Sequence, residues 1–196
     1  MTTTILPTDT DQLRQIATDG VRAMIALTGD DPTRPGVRET PRRVVDALLD
    51  MTDQPGDPET LLGKVFNDVE HASEQITVGP IHFDSVCEHH LLPFTGVAWI
   101  SYMPAGGSVV GLSKLPRLVD HYARRLQVQE RLTEQIAEAI DSHLQPHGVA
   151  VKITASHACM AVRGVRKPEA QMTTYAFRGI HTHDSPERGE FLMAVH

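Results

Sequence analysis

The sequence predicts an α+β domain that follows an N-terminal helical arm, with the arm at 1–60 and the domain at 61–196. Two observations indicate this division. The first 60 residues carry apolar positions at helical spacing, separated by breaks rich in glycine and proline, whereas the later chain contains segments of strand-like alternation. Amphipathic helices lie between those segments. The chain has 196 residues, of which 40% are hydrophobic and 22% charged, and this composition suffices for a packed core.

Two helices are predicted in the arm. Apolar residues recur at helical spacing from Asp11 to about Thr28, and the following Gly-Asp-Asp-Pro sequence ends this helix. A second helix is predicted to start with Thr40 as its N-cap and Pro41 at its first helical position. The segment 54–58 contains two prolines and a glycine, so it is predicted to be a loop.

The domain is predicted to combine strands with two main helices. The expected strands are 75–78, 81–83, 96–102, 109–110, 149–156 and 172–177, and the alternation is clearest in 149–156. Ser113 is expected to cap a helix whose buried stripe contains Leu115, Leu118, Val119 and Tyr122. A second helix is expected from about Val128 to Leu144, and a short one from Pro186 to Val195.

Charge and hydropathy exclude some partners. The formal net charge is -7 and the sequence suggests no basic face, which argues against nucleic-acid binding. No apolar run approaches the roughly 20 residues needed to span a bilayer, so no membrane partner is expected. Residues 1–7 lack the basic and apolar regions of a secretory signal. The cytoplasm is therefore the expected compartment.

A metal site is predicted around Cys87 and His90. Their C-x-x-H spacing lets one turn present a sulfur and a nitrogen to the same ion, and Cys159 is the only other cysteine. In a cytoplasmic chain, cysteines beside histidines more often bind a metal than form a disulfide. Three such ligands with one open position are the pattern of a catalytic Zn²⁺. Zinc is the predicted cofactor.

Two further histidines, His89 and His157, flank the predicted ligands. His157 continues the inward-facing set of the strand at 149–156, as does Cys159. Imidazoles suit proton transfer near neutral pH, so either histidine could exchange protons with a substrate at the open metal position. The alternative is that each one orients a ligand or is a hydrogen-bonded core residue.

Basic residues form two clusters. Ser113 and Lys114 lie at a predicted helix N-terminus, where free N–H groups favour phosphate, and Arg117 follows one turn later. Arg163 belongs to a second cluster close after Cys159. Together they suggest a polyphosphate bound beside the metal. Glu130, at the start of the next helix, could cap the helix dipole or accept two hydrogen bonds from a guanine edge, and both interpretations remain open.

Four segments resemble the signatures of the GTP cyclohydrolase I family. They are Cys-Glu-His-His-Leu-Leu-Pro-Phe at 87–94, Gly-Leu-Ser-Lys-Leu at 111–115, Gln-Val-Gln-Glu-Arg-Leu-Thr at 127–133, and His-x-Cys-Met-x-x-Arg-Gly at 157–164. They occur in the family's order, and the resemblance covers roughly residues 35–195. Strings of this length do not arise by chance.

The resemblance implies a fold, a reaction and an assembly. The fold would be the tunnelling fold, an antiparallel sheet with two packed helices, assembled into a ring-shaped homodecamer with active sites between subunits. The reaction would be hydrolysis of GTP to 7,8-dihydroneopterin triphosphate and formate. Zinc would be held by Cys87, His90 and Cys159. The family pattern assigns catalysis to His89, His157 and Ser113, and substrate binding to Gln129, Glu130, Lys114, Arg117 and Arg163.

Some positions depart from the usual family text, and none is a predicted ligand: Trp99, Leu126, Ser156, Ala158 and Tyr175. They leave open whether the enzyme serves folate synthesis or a secondary deazapurine pathway. The alternative functions are a non-hydrolytic tunnelling-fold enzyme acting on a pterin or deazaguanine, and a catalytically silent nucleotide-binding ring. A zinc deaminase fits poorly, because its H-x-E…P-C-x-x-C pattern is absent.

Overall fold

The structure is a computed structural model that describes residues 6–66 and 74–195. The chain divides into two compact units, with the boundary between Met51 and Thr52. The division into an arm at 1–60 and a domain at 61–196 remains a prediction. Residues 1–5, on which part of the compartment expectation rests, lie outside the described residues.

Two helices form the first unit, α1 at Thr10–Leu27 and α2 at Thr40–Met51, and they pack against each other. The Asp9 carboxylate caps α1 by accepting hydrogen bonds from two backbone N–H groups of its first turn. The prediction of Thr40 as an N-cap was wrong by one position, since α2 includes Thr40. The Thr40 N–H donates to the Val37 carbonyl at 2.9 Å, so the chain already forms a hydrogen-bonded turn before Pro41.

Within the described residues, the second unit contains five helices: α3 at Pro58–Leu62, α4 at Lys114–Ala123, α5 at Gln129–Leu144, α6 at Ala158–Ala161 and α7 at Pro186–Ala194. A 3₁₀ turn spans Ile180–Thr182. The sequence analysis missed α3, because five residues are too few for a helical period to be read. The Asp57 side chain caps α3, and its Leu61 and Leu62 are buried.

A five-stranded sheet forms the centre of the second unit, in the order β5-β2-β3-β6-β7. Its strands are β2 at Ile76–Cys87, β3 at Pro93–Met103, β5 at Leu126–Gln127, β6 at Gly148–His157 and β7 at Gln171–Gly179. All neighbours are antiparallel except β2 and β5. The predicted strands at 75–78 and 81–83 are one strand with a register shift between Val78 and Ile81. A separate small sheet pairs β1 at Val65–Phe66 with β4 at Val109–Val110.

The main core lies between one face of the sheet and the helices α4 and α5. The predicted stripe of α4 is buried there, apart from the half-buried Tyr122, and so are the inward residues of β6. Burying each large aliphatic side chain contributes about 1.5–3 kcal/mol. On the opposite face, Phe191 of α7 packs on Ala150. None of the helices in the described ranges has both the length and the apolar composition to cross a membrane.

Ser113 is at the N-cap position of α4 as predicted, but its side chain does not cap the helix. Ser113 occupies the position before the helix, but its hydroxyl makes no capping hydrogen bond within the described part of the chain. Its backbone is already helical, with φ -67° and ψ -9°, whereas capping side chains act from an extended backbone. The Ser113 hydroxyl is therefore available to other groups, as is usual for an exposed serine.

Gly96 of β3 is packed tightly against β6. A Cβ atom at Gly96 would meet the Thr154 carbonyl oxygen and lie 2.6 Å from the Ala155 Cβ. We expect Gly96→Ala to lower the free energy of unfolding by about 1–3 kcal/mol through overpacking. The matched control is Gly189→Ala in α7, where a Cβ atom would have nothing within 4 Å and should raise stability by about 0.5–1 kcal/mol. Urea unfolding at equal protein concentration measures both, and an unaffected Gly96→Ala would contradict the strand register.

Candidate active site

A tight turn joins β2 to β3 and carries the first two candidate ligands. The Cys87 N–H donates to the Leu92 carbonyl, and the Leu91 N–H donates to the Cys87 carbonyl, both at 2.9 Å. Leu91 has φ 53°, a left-handed conformation that costs a side chain about 1–2 kcal/mol. These two hydrogen bonds hold the turn closed despite that cost, and they bring His90 back toward Cys87.

Cys159 reaches the same place from β6. The strand ends at His157, and the single turn α6 follows it directly. One donor atom from each of Cys87, His90 and Cys159 lies within 4.8 Å of the other two. In a tetrahedral zinc site with bonds of about 2.0–2.3 Å, neighbouring donors lie roughly 3.5 Å apart. Small side-chain movements suffice to close this group, which we call the triad, around one ion.

The chemistry of the triad also fits a soft divalent cation. Both cysteines carry free thiols; Cys87 is buried and Cys159 is half-buried. Burial raises the pKa of the Cys159 thiol, and the neighbouring Cys87 raises it further. Two thiolates side by side therefore need a positive charge between them. Two sulfurs and an imidazole are a donor set that Zn²⁺ prefers.

The two predicted proton-transfer histidines each lie two residues from a triad cysteine in the chain. His89 is exposed, and its Nδ1 is 3.9 Å from the Cys87 Sγ. His157 is half-buried, and its ring stacks on Phe94 with centroids 4.7 Å apart and planes 4° from parallel. Burial lowers the pKa of His157, although the Glu130 carboxylate acts in the opposite direction. The neutral form of His157 is thus favoured near pH 7.

Gln129 and Glu130 open α5 beside His157 but face different surroundings. Gln129 is completely buried, and its Oε1 lies 2.9 Å from the His157 Nε2. Glu130 is exposed and affects His157 only through its charge. Both residues therefore lie near His157, with the Glu130 carboxylate exposed and the Gln129 amide engaged within the protein.

Arg163 also lies at the triad. Its Nη1 donates to the His90 Nε2 at 3.1 Å. Ser113, Lys114 and Arg117 lie in or just before the first half of α4, and Ser113 lines a pocket with Val78, Ile81 and His82. The other end of the helix lies beside β2, since the Ala123 carbonyl accepts from the Ser85 hydroxyl at 2.7 Å. At about 1.5 Å per residue, Ser113 and Lys114 are roughly 14–15 Å from Ala123 along the helix axis, and Arg117 is roughly 9 Å from it.

The sequence analysis missed an ion pair that ties the turn to α5. Arg131 donates to both carboxylate oxygens of Glu88, at 2.7 and 3.0 Å, and thereby lowers the pKa of that carboxyl. It also missed the stacking of Phe94 on His157. The two partners in each pair are far apart in sequence, and no local pattern around either residue indicates its partner.

Comparison with known proteins identifies the family. The sequence profile described as GTP cyclohydrolase I matches residues 17–196. The chain belongs to the GTP cyclohydrolase I family. Proteins named GTP cyclohydrolase 1 from Bacillus cytotoxicus and Bacillus mycoides are 48% and 47% identical to it, each over 176 residues. Each alignment covers 89% of this chain and 92% of the relative. The family resemblance that four sequence segments indicated is confirmed.

One solved structure is also similar, the archaeosine synthase QueF-Like in its apo form. It is 18% identical, with a TM-score of 0.43, and the match covers 54% of this chain and 92% of that one. This likeness is too weak to bear on fold or function.

Metal binding by the triad is open to a direct test. We expect Cys159→Ala to reduce bound zinc from about one ion per chain to below about a tenth, because two remaining donors hold zinc poorly. The measurement is metal analysis of purified protein after dialysis. Ser156→Ala is the matched control, since Ser156 lies three residues away and its side chain is outside the triad. Full zinc content in Cys159→Ala would contradict the site.

Proposed function

We propose that the protein is a zinc-dependent enzyme that hydrolyses GTP to 7,8-dihydroneopterin triphosphate and formate. This is the first step of pterin and folate biosynthesis, or of a related deazapurine pathway, and we propose the cytoplasm as its compartment. The observation that carries the proposal is the convergence of Cys87, His90 and Cys159 beside two histidines in a chain of the GTP cyclohydrolase I family.

Zinc bound by the triad would supply a Lewis acid that makes a water molecule reactive toward C8 of the purine. Proton transfer is the task of the protein's own imidazoles. His157 is held in one orientation by Phe94 and is neutral near pH 7, so it can accept a proton during ring opening. His89, exposed beside Cys87, can exchange protons with solvent and substrate.

The first turn of α5 suits a guanine edge. The exposed Glu130 carboxylate can accept hydrogen bonds from the guanine N1–H and exocyclic amine. The first N–H groups of a helix have no intrahelical acceptors, so the backbone of Gln129 can donate to the guanine carbonyl. We therefore assign guanine binding to the Glu130 side chain and to the backbone at Gln129.

The triphosphate and ribose need groups that one subunit does not bring to its own triad. Arg163 donates to the triad residue His90, whereas Ser113, Lys114 and Arg117 lie in or just before the first half of α4, about 9–15 Å along the helix from Ala123. We propose that a neighbouring subunit supplies these residues, with Lys114 and Arg117 on the triphosphate and Ser113 assisting the ribose rearrangement. This separation supports the ring-shaped homodecamer of the tunnelling fold, with sites between subunits.

The reaction can be tested with GTP alone. We expect wild-type protein to release formate and a product that becomes a fluorescent pterin after oxidation. Cys159→Ala should lose both products together, at least about a thousandfold, because the reactive water is lost. Ser156→Ala should retain both. Binding of GTP without formate release would instead indicate a silent nucleotide-binding ring.

The sharing of the site between subunits can be tested by mixing two inactive variants. One variant is Cys159→Ala, and the other combines Lys114→Ala with Arg117→Ala. If each site draws its triad and its phosphate-binding residues from different chains, co-assembly at equal amounts leaves about a quarter of the sites intact. We expect activity to recover to that level in co-expressed protein, and not when the variants are mixed after assembly. No recovery on co-expression would place both groups on one chain.

A further inference from the structure

The side-chain amide of Gln129 is held by the sheet beneath it. Its Nε2 lies 3.1 Å from the Ile153 carbonyl, 3.0 Å from the Met172 carbonyl and 3.1 Å from the Thr174 hydroxyl. Carbonyl oxygens only accept hydrogen bonds, so the NH₂ group of Gln129 must face them. A reversed amide would set its oxygen against two carbonyl oxygens within a fully buried site, and it would lose both hydrogen bonds.

The hydroxyl groups next to Gln129 agree with this orientation. The Thr133 hydroxyl donates to the Gln129 backbone carbonyl at 2.8 Å, which uses its only proton. The contact of 2.6 Å between the Thr133 and Thr174 hydroxyls must therefore be donated by Thr174. The Thr174 oxygen is then left as an acceptor for the Gln129 NH₂ group. Every hydrogen bond in the network has one permitted direction.

The orientation of the Gln129 amide also determines which nitrogen of His157 carries a hydrogen. With its NH₂ group committed to the sheet, Gln129 presents Oε1 to the His157 Nε2 at 2.9 Å. An amide oxygen only accepts, so Nε2 must carry a hydrogen. The parallel ring of Phe94 favours one plane for the imidazole, and a half-turn of the ring in that plane would place the carbon Cε1, not Nδ1, opposite the Gln129 oxygen.

We propose that Gln129 is a positioning residue that fixes the tautomer of His157, with the hydrogen on Nε2 and the lone pair on Nδ1. The functional consequence rests on the proposed function, in which His157 acts on the substrate. The nitrogen that does not contact Gln129 is then always the one that carries the lone pair in the neutral ring.

The tautomer can be read directly in the full-length, zinc-loaded protein. Solid-state NMR of protein with ¹³C,¹⁵N-labelled histidine distinguishes the two neutral tautomers, and His157→Ala identifies the His157 signals by difference. At alkaline pH we expect His157 to show a protonated Nε2 and an unprotonated Nδ1. The opposite tautomer in wild-type protein would overturn the proposal, whatever the variants do.

Two variants then separate positioning from packing. Gln129→Met keeps the volume but removes the acceptor for Nε2, and we expect a mixture of tautomers. We also expect at least about a tenfold fall in kcat, with the KM for GTP changed by less than about twofold. Thr174→Val is the matched control, because it removes one contact of the same network without touching His157. In Thr174→Val, the tautomer of His157, the kcat and the KM for GTP should stay close to those of the wild type.

The outcomes distinguish failure of the positioning role of Gln129 from failure of the proposed GTP hydrolysis. An unchanged tautomer in Gln129→Met, or a KM that rises while kcat is retained, would overturn the positioning role and indicate that the side chain binds guanine. If Gln129→Met does not fold, the wild-type tautomer and its retention in Thr174→Val still decide. Absence of formate release from wild type, with the expected tautomer present, would overturn the proposed function while leaving the assignment of Nε2–H intact.

Discussion

The register between β3 and β6 is the constraint on which the candidate site depends. It pairs Phe94 with His157, and the start of β3 thereby lies between the end of β2, which carries Cys87, and the end of β6. A shift of one residue would turn His157 to the opposite face of the sheet and move Cys159 away from Cys87. The close approach at Gly96 holds the register, because this part of β6 leaves no room for a side chain.

A second constraint is the satisfaction of buried polar groups. An amide as deeply buried as that of Gln129 costs about 1–3 kcal/mol for each hydrogen bond left unmade. The partners of this amide come from β6 and β7, so moving α5 on the sheet would leave its polar atoms unpaired. The network therefore specifies the position of α5 on the sheet as well as the orientation of His157.

Sequence reasoning was most successful where chemistry and short spacing coincide. The C-x-x-H pair and the second cysteine were enough to predict the group that the structure brings together, and strand alternation indicated that His157 faces inward. Sequence reasoning could not predict where Ser113 lies relative to that group. Periodicity indicates which face of a helix is buried, but not the direction in which the helix runs along the sheet. The ion pair of Glu88 with Arg131 depends on tertiary contact in the same way.

Three consecutive side chains in the first turn of α5 point in different directions. Gln129 faces inward to His157, Glu130 faces solvent, and Arg131 reaches across to Glu88. Successive residues on a helix differ by about 100°, so one inserted or deleted residue here would rotate all three side chains away from their partners together. A single substitution in this turn affects one of these side chains, whereas a change in its length affects all three. We therefore expect natural length variation in this chain to fall elsewhere, as in the loop at 162–170 that follows α6.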